Sequence, residues 1–152
     1  MDADWGGDER DRKSTTGFVV KLYGSVVSAA SVKQKSVATS TLEAEYVALA
    51  EIVKEVLWLQ RFLQELGLYQ DSVTINIDNK GAIDYANNAQ FSQRTKHIDI
   101  KHHFIRDHIE KGEIKLVYVA SEANIADILT KSLDRARFEK LRELIGMKQI
   151  AN

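Results

Sequence analysis

Acidic residues stand at separated points of this 152-residue chain, each beside a different predicted element. Asp2 and Asp4 open the sequence, and Glu43 and Glu45 fall in the first turns of a predicted helix. Asp78 directly follows a predicted strand, and Asp127 lies among apolar neighbours in Asn124-Ile125-Ala126-Asp127-Ile128-Leu129. Taken singly, each has an ordinary explanation. An acid at a helix N-terminus is favoured by the macrodipole, an Asp after a strand commonly caps a turn, and an acid on a short amphipathic helix faces solvent. Brought together they would repel one another, and hard divalent cations neutralise such clusters. Paired cations about 3.5–4 Å apart serve in-line hydrolysis of phosphodiesters. Glu45 carries the clearest inward pointer, because it borders the apolar stripe of its helix and a carboxylate held there needs a partner.

The elements that must position these acids follow from hydrophobic period and punctuation. Residues 17–23 and 25–31 are two β-rich runs around Gly24 and predict an antiparallel hairpin. Ser40 and Thr41 precede a run of strong helix formers, so a long helix starts there and lasts until about Gly67. Leu42, Tyr46, Leu49, Val53, Val56 or Leu57, and Leu63 form its apolar stripe. A strand is expected over 72–77, a short helix from Gly81 to Ala86, a polar loop through Asn87, Asn88 and Gln90, and a helix from His97 to Lys111. A further strand at 113–119 and helical pieces at 123–131 and 134–145 complete the chain. Mixed strands and helices of these lengths imply an α/β domain with one mixed sheet and helices packed on it.

Composition narrows the function classes. With 44% apolar and 28% charged residues the chain can bury a core, and its length suits one domain, expected over 1–147 with a short tail at 148–152. The absence of cysteine excludes disulfides and thiolate metal sites. No apolar run is long enough to cross a bilayer, and no secretory leader pattern opens the sequence. A net charge of −1 gives no overall pull toward nucleic acid, so such binding requires a local basic face. There is no Gly-rich phosphate loop and no G-x-S-x-G elbow. His97, His102, His103 and His108 include no pair four apart, so they cannot form the one-face pair of a zinc helix.

Several stretches together resemble the ribonuclease H domain of copia-type LTR retrotransposon polyproteins. They are Asp2-Ala3-Asp4-Trp5, Arg12-Lys13-Ser14-Thr15-Thr16-Gly17, Glu43-Ala44-Glu45-Tyr46-Val47-Ala48-Leu49 and Asp78-Asn79-Lys80-Gly81-Ala82-Ile83. Arg94 to Ile100 with His102 to Arg106, and Ala126-Asp127-Ile128-Leu129-Thr130-Lys131, continue the match in the same order. The resemblance implies a ribonuclease H-like sheet flanked by helices. It also implies hydrolysis of the RNA strand of RNA–DNA hybrids with two Mg²⁺ or Mn²⁺ ions during reverse transcription. Carried over by motif, the catalytic and metal-holding acids are Asp2, Glu45, Asp78 and Asp127, with Asp4 and Glu43 as the neighbouring candidates. Implied partners are the RNA–DNA hybrid and the reverse-transcriptase domain of the same polyprotein, and the implied location is a cytoplasmic virus-like particle; no membrane partner is expected, and a homo-oligomer is not supported. Lys33, Lys35, Arg94 and Lys96 are the candidate basic face.

The chain departs from that family twice. Only Met1 precedes Asp2, so the first strand is expected to be largely missing, with open sheet edges and Asp2 on a frayed terminus. Where related enzymes carry a histidine shortly before the last acid, this chain has Ala120-Ser121-Glu122, leaving Glu122 as the neighbour or no helper at all. The alternative reading is therefore an inactive fragment that at most binds nucleic acid or a partner chain.

Overall fold

A computed structural model describes residues 1–68, 71–88 and 96–148, with the backbone alone for 96–98. Gln90, Arg94 and the side chains of Lys96 and His97 thus lie outside the described residues, as does most of the expected tail. The architecture is mixed α/β. Strand β1 (Asp2–Ala3) is followed by β2 (Thr15–Leu22), β3 (Ser25–Lys33) and the long helix α1 (Thr41–Glu65). Then come β4 (Val73–Ile77), α2 (Lys80–Asn87), α3 (Lys96–Glu110), β5 (Ile114–Tyr118), two short 3₁₀ turns (Ser121–Ala123 and Ile125–Leu129) and α4 (Arg135–Leu144).

Local chemistry explains the boundaries. Tyr23 and Gly24 both take positive φ, 49° and 83°, the backbone of a two-residue turn whose twist suits an antiparallel hairpin. Ser40 caps α1 by accepting from the Glu43 amide, and the Glu43 carboxylate accepts from both the amide and the hydroxyl of Thr39 at 2.7 and 2.6 Å. These reciprocal bonds satisfy amide donors that the helix leaves unpaired. The buried face of α1 runs through Ala44, Tyr46, Ala48, Leu49, Ile52, Val53 and Val56. It meets β1, β2 and α3, and Ile75, Ile77, Ile105 and Ile114 complete the core. His102 belongs to that core: it is 3% exposed, lies near the rings of Tyr46 and Tyr85, and donates through Nε2 to the Tyr85 carbonyl at 3.0 Å.

The strands differ from the expectation of one continuous sheet. They form a three-stranded ladder, β1-β2-β3, and a parallel pair, β4-β5. The reason is the length of β1. Its two residues pair with β2 only at Asp2↔Gly17 and Ala3↔Thr16, and the Met1 nitrogen donates to the Asn76 carbonyl of β4 at 2.9 Å. Alongside this seam, hollows of about 250 and 580 Å³ are lined from one side by residues 19–22 of β2 and from the other by residues 73–76 of β4. The first strand, expected to be largely missing, is reduced to two residues, but Asp2 is not on a frayed terminus. It is fully buried, because Asn124 donates to the Met1 carbonyl at 3.0 Å and the second 3₁₀ turn packs over it.

The second difference is that the helical piece expected over 123–131 is instead a 3₁₀ turn at Ile125–Leu129, preceded by another at Ser121–Ala123. Bonds spanning three residues close them, including Asn124 N to Ser121 O, Asp127 N to Asn124 O and Thr130 N to Asp127 O. The turn from Ile125 to Leu129 lies directly on β2 at Gly17. A Cβ there would stand 2.6 Å from the Thr130 methyl, 3.0 Å from Leu129 Cβ and 3.1 Å from the Ala126 carbonyl. Only a residue without a side chain admits the turn this closely. Gly17→Ala is therefore expected to push the Asp127 turn off the sheet and to cost about 1–3 kcal/mol of stability, read from the midpoint of urea unfolding.

Candidate metal centre

Four elements deliver the acids. β1 carries Asp2, the end of β4 carries Asp78, the first turns of α1 carry Glu45, and the second 3₁₀ turn carries Asp127. One oxygen from each of Asp2, Asp78 and Asp127 lies within 4.8 Å of the others. Glu45 joins them from the side: it is 6% exposed, and its Oε1 accepts from the Ala3 amide, the residue after Asp2, at 3.4 Å. Its Oε2 is buried and has no hydrogen-bond partner among the described residues. Asp2, Glu45 and Asp78 line an open cleft of about 440 Å³, together with Trp5, Asn79, Lys80 and Lys131.

The neighbouring acids do other things. Asp4 lines the same cleft but accepts from the Thr15 amide, closing the loop between β1 and β2. Glu43 completes the cap of α1. Glu122 is exposed on the first 3₁₀ turn. Of the candidate basic residues, Lys33 is paired with Asp8 and Asp11 at 2.5 and 2.9 Å, whereas Lys35 is exposed.

Several residues that sequence reasoning gave no role hold the cluster. The Thr130 hydroxyl donates to Asp2 Oδ2. Lys131 Nζ bridges Asp2 Oδ1 at 3.1 Å and Asp127 Oδ1 at 3.2 Å. Arg137, from the first turn of α4, donates to Asp127 Oδ2 and to the Ser121 carbonyl. The signal for Thr130 and Lys131 was their place three and four residues after Asp127. Nothing local marked Arg137, ten residues on.

Over nearly its whole length the chain aligns with much longer proteins. It is 45% identical over 146 residues, 96% of this chain, to the Retrovirus-related Pol polyprotein from transposon TNT 1-94 of Nicotiana tabacum. It is 39% identical over 150 residues, 98% of the chain, to that from transposon RE1 of Arabidopsis thaliana, and 30% identical over 136 residues, 89% of the chain, to the Ty1-DR5 Gag-Pol polyprotein of Saccharomyces cerevisiae. Its homologues are retrotransposon Pol polyproteins. The chain spans 11%, 10% and 8% of these relatives, so it corresponds to one segment of each. No family model matches the chain, and no solved structure matches it.

Electrostatics in this Pol-like segment follow from crowding. Burial first, and then the charges of Asp2 and Asp78, push the Glu45 carboxyl up to about 8 from an ordinary value of 4.5. Burial and Asp2 also raise Asp127, against the opposing pull of Lys131 and Arg137. A raised carboxyl holds its proton in the folded chain while the unfolded chain has lost it. The contribution of Glu45 to stability without cations therefore falls as pH rises from about 4.5 to about 8. The buried Met1 amine, lowered chiefly by desolvation, works in the opposite sense, so the comparison must be made within one background. Glu45→Gln is expected to flatten the decline by on the order of 1 kcal/mol per pH unit, measured as the difference between wild-type and variant urea-unfolding free energies in a chelator-treated pH series.

Proposed function

We propose that this chain is a ribonuclease H domain of a retrotransposon Pol polyprotein, hydrolysing the RNA strand of RNA–DNA hybrids during reverse transcription. The observation that carries the reading is the approach of Asp2, Asp78 and Asp127 to within 4.8 Å, with Glu45 beside them, from four separate elements. The similarity to Pol polyproteins supports it, as does the order of its motifs. On this reading residues 1–147 are one ribonuclease H-like domain, in which β1 stands between β2 and β4.

The donor set suits the cations that such chemistry uses. All four candidate ligands are carboxylates, hard oxygen donors that select Mg²⁺ or Mn²⁺ over softer metals. The partnerless Glu45 Oε2 and the raised Glu45 and Asp127 carboxyls describe a cluster short of positive charge. Two such ions held by Asp2, Glu45, Asp78 and Asp127 would supply water activation and neutralisation of the leaving oxygen. The protein's own part is positioning. Thr130 fixes the rotamer of Asp2, Arg137 fixes Asp127, and the Asn124 bond to the Met1 carbonyl anchors the backbone leading into Asp2. The open cleft would admit a strand, with the exposed Trp5 ring and Lys80 in its lining to meet sugar and phosphate. Hybrid shape and 2′-hydroxyls would govern recognition, so base sequence matters little. Lys35, with Arg94 and Lys96, remains the proposed basic face; Lys33 is neutralised by Asp8 and Asp11. The rest of the polyprotein, its reverse transcriptase included, is the proposed partner, in a cytoplasmic particle. Among the described residues no helix is long and apolar enough to cross a membrane.

Incubation of a labelled RNA–DNA hybrid with Mg²⁺ or Mn²⁺ is expected to give cleavage of the RNA strand, falling by more than about a hundredfold in Asp78→Asn. Equal cutting by both proteins would contradict the assignment. If neither cuts, the same assay with the residues upstream of the aligned region of the tobacco relative added before Met1 separates an incomplete nuclease, which recovers, from an inactive binding module, which does not.

A further inference from the structure

The proposed cation site already contains a cation of the protein's own. Lys131 Nζ lies 3.1 Å from Asp2 Oδ1 and 3.2 Å from Asp127 Oδ1, and among the described residues no other side chain is paired with both acids. The other oxygens are committed: Asp2 Oδ2 accepts from Thr130 and Asp127 Oδ2 from Arg137. Of these four oxygens, the two that Lys131 contacts are the ones held by neither Thr130 nor Arg137. We propose that Lys131 is a displaceable counterion, so that divalent-cation binding at Asp2 and Asp127 is an exchange of metal for ammonium. The inference rests on the cation-dependent reading of the site given above.

Three features make Lys131 the group that leaves. Its side chain is 39% exposed, while those of Asp2 and Asp127 are 1% exposed, so the ammonium is the member of the cluster already in contact with water. It lines the open cleft, and its unbranched stem can swing without moving the backbone. Arg137, by contrast, is tied at its far side to the Ser121 carbonyl at 2.7 Å and is planted on α4. The exchange has a structural purpose in the cation-free chain. Three carboxylates drawn this close destabilise the fold unless positive charge stands among them, and Lys131 lets the centre assemble before metal arrives. Once displaced, its charge would remain in the cleft it shares with Asn79 and Lys80, where an anionic strand would meet it. Lys131 is thus a positioning residue whose first effect is on cation affinity rather than on the chemical step.

The test is calorimetric titration of Mg²⁺ into wild type, Lys131→Met and Asp78→Asn, with thermal midpoints recorded with and without the ion. Mg²⁺ is expected to bind Lys131→Met about tenfold more tightly than wild type. The variant should melt below wild type in chelator, with the gap closing at saturating Mg²⁺. Equal or weaker affinity in Lys131→Met would overturn the exchange. Should that variant fail to fold, the wild type itself decides: the Lys131 side-chain Cε resonance must shift with the same Mg²⁺ midpoint as the binding heat, and an unmoved resonance refutes displacement. Wild-type binding that is lost in Asp78→Asn but unchanged in Lys131→Met would remove the role of Lys131 alone. No Mg²⁺ or Mn²⁺ binding by wild type would remove the cation site with it.

Discussion

Repulsion among carboxylates is the constraint around which this molecule is built. Oxygens of Asp2, Asp78 and Asp127 within 4.8 Å of one another, with Glu45 buried alongside, cost free energy in a cation-free chain. The fold tolerates this through three devices. Lys131 and Arg137 supply positive charge, Thr130 and the Ala3 amide supply hydrogen bonds, and Glu45 holds its proton up to about pH 8. Each device answers a different part of the same problem. Side chains remote in sequence from the acids therefore help to hold the cluster together.

The scaffold places those acids through a few close approaches. Gly17 admits the Asp127 turn onto β2 beside Asp2, and Asn124 clasps the backbone at Met1. Helix α1 packs on β1 and β2, with Ala44 and Ala48 in its buried face, and Glu45 reaches the Ala3 amide. Where the scaffold is thin, at the two-residue β1, the three-stranded and two-stranded ladders meet across hollows rather than through a shared strand. The stacked, exposed Trp58 and Phe62 rings lie against the larger of these hollows, 5.6 Å apart with planes 3° from parallel.

Much of this was legible in the sequence, and the remainder was illegible for physical reasons. The long helix follows from its cap and its apolar period, and β4 with Asp78 at its end follows from alternation and β-branching, since both signals are local. Preference for Glu45 over Glu43 came from the apolar stripe and the family motif; the structure places Glu45 against β1 and Glu43 on the cap. Burial of Asp2 could not be read, because it depends on Asn124 and Thr130, more than 120 residues away. The split of the sheet depends on pairing between segments remote in sequence. The second 3₁₀ turn lies where Gly17 lets the chain press against β2, a contact that no pattern within 123–131 encodes.

The central claim is that these acids form one cation-binding centre. The most direct measurement is anomalous diffraction at the manganese edge from crystals of the protein grown with Mn²⁺. The account predicts anomalous density within ligand distance of Asp2, Asp78 and Asp127. Density confined to other surface carboxylates, with the four acids left unliganded at saturating Mn²⁺, would contradict it.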